Sequence, residues 1–157
     1  MKHEFPGPYG RHVFRIIVCA CVLAGCMREK DRLDEEVRTL CAKDGGIKVF
    51  EKVLLPANRF DTYGEIRVPS RDLAKASDDF FYEWDMTYYR KGNPSMWRNH
   101  FRLVRRVDGK VLGEGITYSR VGGDFPGPWQ DSSFGCPERA DIKYVNLQVF
   151  SVETSGK

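Results

Sequence analysis

Residues 97–120 alternate apolar and polar side chains on both sides of Asp108-Gly109, the pattern of two antiparallel strands joined by a tight turn. Phe101, Leu103 and Val107 share one side of the first arm, and Leu112, Ile116 and Tyr118 share one side of the return. A slip of one residue would turn all of them to the opposite face, so the pattern specifies register as well as pairing. Asp-Gly tolerates positive φ at both central positions, which predicts a two-residue primed turn. A chain organised around this hairpin is committed to an antiparallel sheet.

The flanking segments are read against that sheet. Across residues 28–44, Leu33, Val37, Leu40 and Cys41 recur at three- and four-residue spacing among charged neighbours, and Gly45-Gly46 follows, which predicts an amphipathic helix with a glycine stop. Residues 47–55, rich in β-branched side chains and closed by Pro56, read as one strand, and residues 65–68 as a short strand ended by Pro69. Residues 80–90 read as a longer strand, with Phe80, Tyr82, Trp84, Met86 and Tyr88 on a face assigned to the core and Glu83, Asp85 and Thr87 on the other. A loop over residues 121–139 precedes a final strand over residues 142–152. The expected fold class is α+β: a short N-terminal amphipathic helix packed on a curved, mostly antiparallel sheet of about five strands.

The amino terminus carries a different signal. Lys2, Arg11 and Arg15 lead into the apolar run from Ile16 to Gly25, which Arg28-Glu29-Lys30-Asp31 stops. A membrane-spanning helix needs about 20 apolar residues, so the run has the length of an export signal. Residues 1–25 are then a signal peptide and residues 26–157 a single globular domain, large enough for one core. Losing Lys2, Arg11 and Arg15 with Glu4 would lower the formal charge from +3 to about +1, a balance that implies no nucleic-acid partner.

Leu23-Ala24-Gly25-Cys26 resembles the lipobox of bacterial lipoproteins. The resemblance implies cleavage before Cys26, lipid on its thiol and residence in the bacterial cell envelope. By resemblance to the sorting of enterobacterial lipoproteins, Met27 in place of Asp implies the outer membrane, on its periplasmic side or at the surface. Cys19 and Cys21 would leave with the signal, so Cys41 and Cys136 remain in an oxidising compartment, and a disulfide between them would close a loop of roughly 95 residues. Further stretches resemble a group of small, functionally uncharacterised bacterial lipoproteins: Cys41 to Val49, Arg90 to Arg98, Asp108 to Glu114, Arg120 to Trp129 and Ser132 to Pro137. This second resemblance implies a lipoprotein with a single domain and carries over no chemistry.

No nucleophile elbow, Walker motif, dinucleotide fingerprint, EF-hand or Cys/His cluster occurs, so no catalytic residue, cofactor or metal is assigned. His100, the one histidine left after processing, lies opposite the Phe101 and Leu103 face and reads as a surface residue. Glu83 and Asp85 share a strand face, as the carboxylate pair of a cell-wall or glycan hydrolase would, or as an ordinary solvated face would. Arg98, Arg102 and Arg106 fall on one face as a basic stripe, open to pairing with acidic neighbours across the sheet or to an anionic partner. Phe125 and Trp129, in a proline-rich loop, either meet a protein or glycan or cover the end of the sheet. The leading expectation is an envelope lipoprotein, anchored to the membrane through Cys26, that binds a protein or other envelope component through loop and stripe. The alternatives are the hydrolase, using Glu83, Asp85 or His100, and a prophage-type exclusion lipoprotein that masks a surface receptor.

Overall fold

The computed structural model describes residues 29–124, 128 and 130–153; the signal segment, Cys26, Phe125 and Trp129 lie outside the described residues. Among the described residues the fold is α+β, with two α-helices and a mostly antiparallel five-stranded sheet. Helix α1 covers residues 29–44, followed by β1 (Gly46–Val49), β2 (Val53–Leu55), β3 (Phe80–Arg90), β4 (Ser95–Arg105), β5 (Val111–Val121), β6 (Ser133–Cys136), α2 (Ile142–Val149) and β7 (Phe150–Val152). β5 lies at the centre: β4 and then β3 flank one side, while β1 and β6 share the other, β1 pairing with Gly113 to Ile116 and β6 with Tyr118 to Val121. β2 and β7 form a separate parallel pair.

The expected helix and hairpin are present. Leu33 and Val37 of α1 are buried against Met96, Ile116 and Tyr118, with Leu40 and Cys41 on the same stripe. The outer side of α1 carries i,i+3 and i,i+4 ion pairs, Arg38 with Glu35 and Arg32 with Glu36, and Gly45 N–H donates to the Cys41 carbonyl to close the last turn. β4 and β5 pair antiparallel, but one residue off the register that a two-residue turn would set: Phe101 lies opposite Gly115 and Leu103 opposite Gly113. Leu103 and the bulged Leu112 therefore join the cluster under α2 while Ile116 and Tyr118 join the one under α1, and Leu112 does not share a side with them. The link between the two strands is the five-residue stretch 106–110 rather than a two-residue turn. Arg105 N–H donates to the Lys110 carbonyl, Gly109 N–H donates to the Arg105 carbonyl, and Gly109 takes φ 67°. The Asp108 carboxylate accepts from Arg105 and from Lys110 N–H, which favours the wider loop and leaves Val107 86% exposed.

Four other expectations are corrected. Residues 47–55 form two strands, because the β5 bulge at Leu112 presents one carbonyl to both Phe50 and Glu51 N–H and the chain leaves the sheet there. Residues 65–68 form no strand: Asp61 Oδ1 accepts from the N–H groups of Tyr63 and Glu65, and Ile66 and Val68 pack on the core without a ladder. Residues 142–149 are helical, the β-branched residues notwithstanding. Asp141 caps the helix by accepting from Lys143 and Tyr144 N–H, and Val145 and Val149, four apart, are fully buried. Finally, the aromatic face of β3 is core at its Phe80 end alone, while Trp84, Met86 and Tyr88 are 51%, 40% and 47% exposed.

The sheet length explains that last difference. Eight helical residues span about 12 Å and an eleven-residue strand about 36 Å, so α2 covers one end of the face. The contact is close because β5 has glycine there: a Cβ on Gly115 would lie 2.1 Å from the Ala140 carbonyl oxygen, and one on Gly113 2.8 Å from Val149. α1 covers the opposite face at the other end of the sheet, so each face has one half closed and one half open.

Candidate functional site

On the α1 side, the cross-strand register brings Glu83 beside Arg102 and Glu114, Asp85 beside His100 and Ile116, and Thr87 beside Arg98 and Tyr118. The open half of this face is therefore charged. Arg102 sits between the two candidate carboxylates, 3.1 Å from Glu83 and 2.7 Å from Asp85, and Arg71 approaches Glu83 at 2.6 Å. These groups line a cleft of about 390 Å³ together with Ser70 and Tyr82. Each carboxylate is held by a guanidinium, so the two form one ion-pair network through Arg102. His100 Nε2 meets Glu114 Oε2 at 2.8 Å, and Lys48 lies 3.4 Å from the same carboxylate. Burial pushes the Glu114 carboxyl up, but its bonds to His100 and Lys48 more than offset this and hold it below its ordinary range.

The basic stripe is not continuous. Arg98 and Arg102 share the face, and Arg98 has no ion pair among the described residues; it borders a hollow of about 280 Å³ with Lys43, Thr87 and Tyr89. Arg106 lies beyond the end of β4, where its Nε donates to the Asp78 carbonyl at 2.7 Å and its guanidinium covers the Phe81 ring at 5.2 Å. Cross-strand and local bonding thus account for Arg102 and Arg106, and Arg98, partly buried, is the one of the three with neither a side-chain hydrogen bond nor an ion pair among the described residues.

The opposite face carries the exposed aromatics. Trp84 stacks beside Phe101 at 6.4 Å between centroids, and Tyr88 beside Trp97 at 6.0 Å. Trp84 Nε1–H donates to Asn99 Oδ1, and Asn99 Nδ2 donates to Thr117 Oγ1, so a polar thread crosses three strands between the rings. β3 is also an edge strand. Pro69 to Arg71 cover it at Tyr82, through Tyr82 N–H to the Pro69 carbonyl and Arg71 N–H to the Tyr82 carbonyl. From Trp84 onward no strand among the described residues pairs with its outer side. An uncovered edge with half its amides and carbonyls outward is a template for another strand.

Two further features tie the molecule together at the other end of β5. Cys41 and Cys136 form a disulfide, 95 residues apart in sequence with Cα atoms 6.1 Å apart, which joins the last turn of α1 to β6. Arg120, 1% exposed, donates from Nε and Nη2 to both Asp34 oxygens at 2.7 and 2.9 Å, and from Nη1 to the Gly122 and Ser132 carbonyls. The sequence patterns assign Arg120 no role, although a charge in phase with Ile116 and Tyr118 on a buried strand face is a visible signal. Phe125 and Trp129 lie outside the described residues, and the chain on either side of them is held. Asp124 accepts from Lys30 Nζ at 2.7 Å and from Ser132, contacts that hold its carboxyl down at about 2.

Among the described residues no group of three His, Cys, Asp or Glu is arranged to hold a metal ion, and no helix is long and apolar enough to cross a membrane. Compared with known protein families, with curated proteins and with solved structures, the chain matches none of them.

Proposed function

We propose that this chain is a bacterial envelope lipoprotein, anchored by lipid on Cys26, whose domain binds an extended segment of another envelope protein along the free edge of β3. The anchor rests on the sequence pattern that ends in Leu23-Ala24-Gly25-Cys26, and the outer membrane on Met27. The observation that carries the binding reading is the edge itself. From Trp84 to Arg90 it offers unpaired backbone groups, and beside them stand Trp84, Met86, Tyr88 and Tyr89, each 40 to 51% exposed. Backbone pairing supplies affinity in such complexes, and the flanking side chains supply selectivity. On the charged side of the same strand, Asp85 is 56% exposed, and Arg98 on β4 lies nearby to orient an acidic residue of the partner.

Site-specific photo-crosslinking in cells tests the proposal. A photoreactive residue at Met86 or Thr87 should capture a discrete envelope protein, and one at Val107, exposed at the far turn, should not. Equal capture from all three positions, or capture from Val107 alone, would refute it.

A further inference from the structure

We infer that the domain stands directly on the bilayer, with the end of the sheet formed by the Lys91 to Pro94 turn and the start of α1 set against phospholipid headgroups. The inference rests on the lipid anchor proposed above. Three residue steps separate Cys26 from Glu29, where the described part of α1 begins, and three steps reach at most about 11 Å. The headgroup layer on each side of the hydrocarbon is itself about 5 to 7 Å thick. A lipid-bearing Cys26 therefore leaves no room for a tether between the folded domain and the membrane.

The geometry then decides which end faces the lipid. Glu29 pairs with Arg90 at the end of β3, and Lys30 pairs with Asp124 beyond the end of β5. A Cβ on Gly123 would lie 3.3 Å from the Lys30 Cβ, so that turn packs against the first turn of the helix. α1 cannot swing away from the sheet, because Arg120 holds Asp34 and the disulfide holds Cys41. The side chains at this end suit the interface. Tyr88 and Tyr89 are 47% and 49% exposed, Trp97 is half-buried, and the Lys91 ammonium lies 5.7 Å from the Tyr88 ring centroid. Tyrosine and tryptophan settle at the headgroup level of membranes, and a lysine stem lies along apolar surface while its ammonium reaches phosphate. The turn at residues 106–110 lies a full strand length away, about 36 Å. β3 then rises from the membrane with its free edge facing sideways, where a neighbouring envelope protein can reach it.

Depth measurements on the full acylated chain test this. In phosphatidylethanolamine and phosphatidylglycerol vesicles with brominated acyl chains, a variant retaining Trp97 alone (Trp84→Phe, Trp129→Phe) should be quenched at least about twofold more than one retaining Trp84 alone (Trp97→Phe, Trp129→Phe), since the two positions lie about 13 Å apart along the strands. Spin labels at two exposed positions give a second reading that does not disturb the aromatic pairs. A label at Lys91→Cys should be relaxed by lipid-soluble oxygen, and one at Val107→Cys by a water-soluble nickel chelate. Equal quenching and equal relaxation would mean a domain lying on its side, and water-like values at both ends a free tether; either overturns the inference. Palmitate labelling separates the two claims. If the chain takes up no palmitate, anchor and orientation fall together, whereas a labelled, vesicle-bound chain with an unquenched Trp97 removes the orientation alone.

Discussion

Asp34→Ala would leave the Arg120 guanidinium, 1% exposed, bonded to the Gly122 and Ser132 carbonyls but without a counter-charge. Truncating one partner of a buried ion pair costs about 3 to 5 kcal/mol, because the remaining charge stays desolvated. The Asp34 side chain is 14% exposed and Arg120 2%, so some water reaches the vacated carboxylate position, which places the expected loss at the lower end, about 3 kcal/mol. Arg120→Met strands two backbone carbonyls as well as Asp34, at about 1 kcal/mol for each hydrogen bond lost, and should cost a similar total. The double variant Asp34→Ala with Arg120→Met removes both charges. Its cost should be confined to the lost carbonyl bonds, about 2 kcal/mol, so the two substitutions are strongly non-additive, with a coupling of about 3 kcal/mol or more. Urea unfolding of the Cys26→Ser chain and these three variants, followed by circular dichroism, measures all four corners of the cycle. An Asp34→Ala loss below about 1 kcal/mol, or additive single effects, would show that Arg120 is not held by charge pairing and would refute the reasoning.

Three more outcomes follow from the same geometry. Reducing the Cys41–Cys136 bond, or replacing both cysteines by serine, should lower stability by up to about 4 kcal/mol, read as a lower urea midpoint, because the bond closes a loop of some 95 residues in the unfolded chain. Gly115→Ala should cost about 3 kcal/mol or more in the same assay, since its Cβ would lie 2.1 Å from the Ala140 backbone oxygen, whereas Gly109→Ala, which meets no atom but has φ 67°, should cost about 1 to 2 kcal/mol. The contacts from Lys30 and Ser132 depress the Asp124 carboxyl to about 2, so its contribution is present in full above the ordinary aspartate value near 3.9 and is lost as pH falls towards 2. The stability difference between the parent chain and Asp124→Asn should therefore be flat from pH 5 to 7 and shrink below about pH 4; a difference that grew on acidification would contradict the assignment.

The parts of the fold legible in the sequence were those whose pattern is local. The stripe through Leu33, Val37 and Cys41 gave α1, and alternation about Asp108-Gly109 gave β4 and β5, but not their register or the face of Leu112, which the wider turn and the bulge decide. What failed depended on distant partners. The run Ile142 to Val149 reads as a strand by composition, and tertiary packing of Val145 and Val149 on the glycines of β5, with the cap at Asp141, makes it a helix. Residues 47–55 read as one strand because nothing nearby reveals that the Leu112 carbonyl will catch two successive amides. The β3 aromatics read as core because alternation tells which residues share a face but not whether another element is long enough to cover it. Of the candidate site residues, the Cys41–Cys136 bond was readable from thiol counting, while the separation of Arg98 from Arg102 and Arg106 required knowing their acidic and aromatic neighbours.

The arrangement of the glycines connects the proposed anchoring to the proposed binding edge. Gly122 and Gly123 take φ 86° and 82°, and a Cβ on Gly122 would fall 2.1 Å from Asn93 Oδ1, the atom that accepts from Gly123 N–H. That contact locks the β3–β4 turn against the chain leaving β5, while Lys30 and Arg120 lock the same chain to α1. The first turn of the helix, the turn at residues 91–94 and the exit of β5 are thereby one rigid block, and β3 rises directly out of it. If lipid on Cys26 fixes the helix, this block transmits its orientation to the edge strand without an intervening hinge. A strand edge able to template pairing with any extended chain is an aggregation liability in a freely diffusing protein. Fixed in orientation at a surface, it is open to partners that approach along the membrane, and so the anchor would limit with whom the edge can pair.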